Sequence, residues 1–269
     1  MAMNRDQSTS FATALTIQFR VMAAMILREV HSRFGRENFG FIWLIIEPLM
    51  LASVISSIHH FMGGSHSSDT DIDPGTFTLL GYTIFIIFRG IVNKSEGMLE
   101  ASVHLFYHRM VTILDVVLAR ALMEALSCVC ALIVLMTLYM VLGFAELPAR
   151  PLYLLAGIGL MTWLSFGLSL IIASWTFDRR TAGRLVHPMT YFAIPLSGAF
   201  WTMEFLPADF RSAMEWNPMA GIFEIARYGQ FQTASPLYIN FGYVIAVCAV
   251  VTYIGFIAIR NVRSRLHVS

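Results

Sequence analysis

What governs this chain is a succession of apolar runs long enough to cross a lipid bilayer. Segment 41–62, FIWLIIEPLMLASVISSIHHFM, would extend about 33 Å as a helix, against roughly 30 Å of hydrocarbon. Segment 76–92, TFTLLGYTIFIIFRGIV, is shorter but strongly apolar. Segment 111–142 is longer than one crossing needs, and from Ala121 to Leu142 its only charge is Glu124. Segments 152–177 and 236–259 are two further runs. Segment 185–201 is also apolar but is broken by Pro188 and Pro195. Proline interrupts regular helix, so this stretch suits a kinked span or a re-entrant pair packed against protein. Counted as the fifth of six spans, it closes the charge pattern described next. Composition agrees, with 57% hydrophobic and 13% charged residues and a mean hydropathy of +0.67. The charged fraction is about half that of a soluble domain. The polar stretch before the first run lacks the pattern of a cleavable signal, so that run is expected to be retained.

The net charge of +1 conceals a marked asymmetry. With the N-terminus in the cytoplasm, Arg5, Arg20, Arg28, Arg33, Arg36, Lys94, Arg109, Arg179, Arg180, Arg184, Arg260, Arg263 and Arg265 lie inside, 13 in all. Only Arg150, Arg211 and Arg227 fall in outer loops, which carry Asp69, Asp71, Asp73, Glu204, Asp209 and Glu215 instead. By the positive-inside rule this predicts cytoplasmic N- and C-termini. The expected architecture is an all-α polytopic inner-membrane protein with six transmembrane helices.

Two segments outside the spans are distinctive. Leu15, Phe19, Met22, Ile26 and Val30 recur at helical spacing, which predicts an amphipathic helix within 11–38 at the cytoplasmic interface. Ordinary packing of a helix against protein produces the same stripe. Glu29 can pair with Arg33, and Arg33 with Glu37, one turn apart. Region 202–235 mixes aromatics and Met with Glu, Asp and Arg around Pro207 and Pro218. It predicts short helices on, or dipping into, the outer face of the 39–262 transmembrane domain, or a surface for an extracytoplasmic partner.

The familiar signatures of catalysis are missing. The chain has no GxxxxGK[ST], HExxH, CxxC or GxSxG, so nothing in it promotes an enzyme and no ATP-binding loop is present. Cys128, Cys130 and Cys248 lie in apolar runs and read as small hydrophobes. His59 and His60 are adjacent and so point to different helix faces, with no third metal ligand in evidence. More informative are Glu47, Arg89, Asp115, Arg120 and Glu124, ionisable groups inside apolar runs. Facing lipid, such a group costs roughly 2.5–3.5 kcal/mol, so each should pair, line a wet cavity or lie near the boundary. Arg120 and Glu124 can pair one turn apart, and Arg89 can snorkel to the inner surface.

Three motifs point to a family. In LREVHSRFGRENFGFIWLIIEPL, residues 27–49, they are Arg28-Glu29, Arg33-Phe34, Gly40, Trp43 and Glu47-Pro48. LARALMEAL at 118–126 and WNPM at 216–219 follow in order. The chain resembles the ABC-2 type membrane-spanning subunits of Gram-negative capsular polysaccharide exporters. It is more distantly similar to subunits that export O-antigen or teichoic acid. The resemblance implies a homodimeric half-transporter without catalytic residues, cofactor or metal of its own. ATP and Mg would be bound by separate ATP-binding subunits, and periplasmic and outer-membrane polysaccharide export proteins would complete the assembly. The cargo would be a lipid-linked acidic polysaccharide, and no nucleic-acid partner is expected.

The resemblance also suggests roles for particular residues. Loop 93–109 would be the coupling element, making Lys94, Glu96 and Glu100, with Arg28, Glu29 and Arg33 of the entry helix, candidates for the ATPase interface. A solvated turn explains the loop residues almost as well. Phe41, Trp43, Glu47, Tyr82, Phe85 and Arg89 are candidates for the substrate pathway or its gate, although each aromatic alone suits ordinary packing. The acidic 64–75 loop departs from the family pattern. An exporter of a smaller lipid or drug, or a non-transporting membrane scaffold, remains open on the sequence.

Overall fold

The computed structural model describes residues 11–34, 46–47, 49–51, 53–54, 58, 73–106, 111–177 and 179–266. Helix α1, Phe11–Phe34, precedes the described part of the first apolar run, which is helical. Phe41, Trp43, His59, His60 and residues 64–72 of the 64–75 loop lie outside the described residues. Helix α2 is Pro74–Asn93, α3 Met98–Phe106, α4 Ile113–Val141 and α5 Pro151–Thr176. A short turn of helix, α6 at Arg180–Gly183, leads into α7, Val186–Ser197. A 3₁₀ turn at Met203–Phe205 follows, then α8 at Ala208–Met214, α9 at Pro218–Gln230 and α10 at Phe241–Leu266.

Among the described residues, four helices are long and apolar enough to cross a membrane: α2, α4, α5 and the Phe241–Val262 part of α10. Two of their starts are written locally. Asp73 caps α2 by accepting the Thr76 N–H at 2.7 Å, with Pro74 in the first turn. Thr112 and Asp115 form a reciprocal capping box at α4. Helix α5 sits at the centre, packed on α10, α9, α2 and α4. The larger core joins Phe85, Leu135, Met161, Ile222 and Phe223 from four of these elements. A smaller core at the other end joins Leu99, Val117, Leu170 and Val262, with Met25 of α1 packed against it.

Helix α4 is the longest element among the described residues. Near one end, the Thr76 hydroxyl donates to the Phe144 carbonyl at 2.9 Å; near the other, Lys94 at the end of α2 donates to Glu124. Between these clamps α2 rises about 27 Å, close to the hydrocarbon thickness. The stretch of α4 from Ile113 to Glu124 therefore projects about 17 Å further. Asp115 and Arg120, which the sequence puts inside an apolar run, belong to this projecting part. Helix α1 packs along it.

The broken segment has a definite form. Helix α7 has 12 residues and rises only about 18 Å, too little for a full crossing. It ends at Gly198, whose φ of 91° is the left-handed conformation that glycine adopts without a Cβ penalty. The following segment turns back into the bundle. Helix α8 is exposed, whereas α9 is mostly buried against α5 and α10. The Asn217-Pro218 pair of the WNPM motif starts α9, with the Asn217 side chain accepting the Met219 N–H at 3.0 Å. At its far end, a Cβ on Gly229 would lie 2.2 Å from the Leu154 backbone nitrogen, so only glycine lets α9 approach α5 so closely.

Candidate pathway and coupling residues

Every ionisable group that the sequence places inside an apolar run has a partner. Glu47 accepts the Tyr82 hydroxyl at 2.7 Å and lies 3.3 Å from Arg89 Nη1. Arg89 Nη1 also reaches the Tyr82 oxygen at 3.4 Å, and Arg89 Nη2 donates to the Tyr191 hydroxyl. The guanidinium carbon stands 4.3 Å from the Tyr191 ring centre, a cation–π geometry. The first apolar run, α2 and α7 thus meet at one acid, one base and two phenols. Tyr82 is buried and stacks on Phe200, whereas Tyr191 is 53% exposed and Arg89 half-buried. The cluster opens on one side of the chain.

Such a cluster can present hydroxyl donors, a cation and an aromatic face to a polar ligand while keeping its own charges compensated. Phe85 does not share this exposure. It is 0% exposed within the larger core and packs against Phe88, which leaves it no face toward a ligand in this conformation. Sequence reasoning missed Tyr191. Its signal was a phenol in an otherwise apolar, proline-broken run, where a hydroxyl needs a partner.

Where α1 meets α4, Arg120 lies 3.8 Å from Glu29 of α1, and nearby Lys94 pairs with the buried Glu124. Asp115 accepts the Thr112 hydroxyl at 2.8 Å and the Gln18 amide of α1. Glu96 lies 3.7 Å from His187 Nε2, tying the turn before α3 to the start of α7. Glu100 stands half-buried in the first turn of α3, and Arg28 is half-buried on α1. Arg33 belongs to the last turn of α1, but its side chain lies outside the described residues. Of the predicted α1 stripe, Met22, Ile26 and Val30 are half-buried, while Phe19 is 69% exposed.

The three arginines counted as outer-loop charges hold backbone. Arg150 donates to the Tyr228 carbonyl at 3.0 Å and lies over its ring at 4.0 Å. Arg211 donates to the Leu206 carbonyl at 2.8 Å and to the Tyr238 hydroxyl at 3.0 Å. Arg227 is 2% exposed and donates to the carbonyls of Gly198, Ala199 and Trp201, in the irregular backbone that follows α7. A guanidinium keeps its charge even when buried, so it needs an anion close by. Glu224, 3.5 Å away, balances that charge and accepts the Met203 N–H at 3.0 Å. Among the described residues no three His, Cys, Asp or Glu side chains gather to hold a metal ion.

Residues 20–231 match the family model described as ABC-2 type transporter, a stretch that takes in α1 from Arg20 onward and α2 to α9. The chain belongs to the ABC-2 type transporter family. Membrane subunits of this family are non-catalytic, with ATP hydrolysis in a partner subunit. The permease is 33% identical over 247 residues to the capsule polysaccharide export inner-membrane protein CtrC of Neisseria meningitidis serogroup B, covering 92% of each chain. It is 30% identical to the capsule polysaccharide export inner-membrane protein BexB of Haemophilus influenzae, covering 96% of this chain and 97% of the relative. The polysialic acid transport protein KpsM of Escherichia coli is 30% identical, with 93% and 95% covered. The permease is thus a multi-pass membrane protein of a polysaccharide- or lipid-exporting kind.

Proposed function

We propose that this permease is the inner-membrane subunit of an ATP-driven exporter of lipid-linked acidic capsular polysaccharide. The observation that carries the reading is near end-to-end similarity to capsule-export proteins of two genera. Two copies would form the pathway. Separate subunits would bind ATP and Mg beneath them, and periplasmic and outer-membrane export proteins would receive the polymer. Six spans follow if the 41–62 run crosses and α6, α7 and the buried α9 together fill the fifth position. Cytoplasmic termini are supported by the 13-to-3 distribution of basic residues.

On this reading Arg89 attracts acidic substituents of the polymer, while Tyr82 and Tyr191 offer hydroxyls and ring faces to its sugars. Glu47 compensates Arg89 when no polymer is present, so the cation is held ready without standing bare beside hydrocarbon. Phe41 and Trp43 precede Glu47 on the same run and would extend the aromatic surface. Helix α1, through Arg28, Glu29 and Arg33, and the segment bearing Lys94, Glu96 and Glu100 would carry the motion of the ATP-binding subunits.

The test is deletion of the chain in its native cell, followed by complementation. Surface polysaccharide should disappear on deletion, lipid-linked polymer should accumulate inside, and both should revert with the wild-type chain. Unchanged surface polysaccharide would remove the cargo assignment. A reporter fused after Ser269 should be active only as a cytoplasmic reporter, and one inserted in 64–73 only as a periplasmic one. The opposite pattern would overturn the topology.

A further inference from the structure

Three ionisable residues of α4 reach two different elements at the coupling end. Asp115 accepts from Gln18 and Arg120 lies 3.8 Å from Glu29, both on α1, while Glu124 accepts from Lys94 at the end of α2 just before α3. We infer that Arg120 and Glu124 are positioning residues that join α1 and the 93–106 segment to α4, so that one spanning helix receives motion from both. The inference rests on the proposed exporter function, which makes α1 and that segment the parts moved by the ATP-binding subunits. It also gives Glu29 and Lys94 a task inside the chain.

The chemistry favours a rigid joint over a loose contact. Glu124 is 4% exposed, so its carboxylate has little water to fall back on and is held where its donors are. Lys94 occupies the C-cap position of α2, where a cation also suits the open carbonyl end of the helix. Gly90 makes room for the joint. A Cβ there would stand 2.2 Å from Glu124 Oε1 and 2.6 Å from its carboxyl carbon. A methyl group at position 90 therefore displaces the acid from Lys94 without altering any charge. Asp115 is committed twice, to its own helix start and to α1, so the α1 attachment has two points along its length.

The experiment uses the permease assembled with its ATP-binding subunits. Recovered complex and ATP hydrolysis are measured after purification, and surface polysaccharide is measured in the same cells. Arg120→Glu should assemble and still hydrolyse ATP, at an altered rate, and both it and Glu29→Arg should lower export per assembled complex about tenfold, within the range of coupling energies between linked sites. The combined swap should restore export to within about threefold, because the attraction is rebuilt with its signs exchanged. Gly90→Ala and Glu124→Gln should lower export per complex in the same direction, the first with every charge intact.

Normal export per complex in both single reversals would overturn the inference, as would a well-assembled swap that fails to recover. Equal falls in recovered complex and export would also overturn it, by showing that the pairs only stabilise the fold. Failure of the functional reading looks different, because surface polysaccharide then persists when the chain is deleted. In that event the joint is judged on ATP hydrolysis: single reversals must change the rate of the assembled complex and the swap must revert it, and an unchanged rate overturns the inference.

Discussion

Replacing Arg227 by methionine should produce a large loss of stability, because the change leaves a charge and several carbonyls stranded together. The methionine fills the space of the arginine stem but supplies no donor. The carbonyls of Gly198, Ala199 and Trp201 lose their guanidinium, and Glu224 keeps only the Met203 N–H among its donors described above. Breaking a buried ion pair from one side costs about 3–5 kcal/mol. For a chain of this size that corresponds to a fall in Tm of about 6–20 °C. Adding Glu224→Gln removes the stranded charge and preserves an acceptor for Met203, so the double variant should recover about half the loss. What remains, about 1–3 kcal/mol, is the cost of open carbonyls. Thermal unfolding in detergent, followed by fluorescence-detected size exclusion, reads both effects. A single variant as stable as wild type, or a double variant less stable than the single, would refute the reasoning.

Other outcomes follow from the same geometry. Arg89→Ala should lower surface polysaccharide more than it lowers folded permease, and Arg89→Lys should recover only part of it because an ammonium lacks the planar fork and stacking of arginine. Equal falls in protein and export would remove the pathway role. Reversing Glu96 and Glu100 together to lysine should weaken recovery of the ATP-binding subunits about five- to tenfold while membrane insertion stays normal; unchanged recovery rejects the assignment. Gly229→Ala should destabilise by about 1–3 kcal/mol through collision with the Leu154 backbone, and an unshifted unfolding temperature would show that α9 and α5 can separate freely.

The spanning helices α2, α4, α5 and α10 were legible because bilayer thickness imposes a run length that few other structures require. The beginnings of α2 and α4 were legible too, since Asp73-Pro74 and Thr112…Asp115 are local signals. A short helix after Pro218 was expected too, but the burial of α9 was not: Glu224 and Arg227 give it the composition of a surface helix, and only the fold shows that they neutralise one another and hold the backbone that follows α7. Glu47 and Arg89 were singled out as costly charges, but periodicity specifies a helix face and says nothing of its neighbour. Hence their meeting with Tyr191, 102 residues beyond Arg89, depended on how the broken segment packs. The same holds for Glu29 with Arg120 and Lys94 with Glu124, pairs made between elements that the sequence could only treat separately.

The excess length of α4 carries a mechanical consequence. If the Lys94–Glu124 joint serves as a fulcrum, the helix is a lever with unequal arms, about 17 Å on the side of α1 and about 26 Å through the membrane. A sideways push of about 2 Å at Ile113 would turn such a rod by about 7° and sweep its far end through about 3 Å. That is most of the width of a carbon atom's contact shell, enough to part packed side chains. On the proposed function, a motor acting on the short arm would trade force for reach, and a bulky polymer is the kind of load for which reach matters.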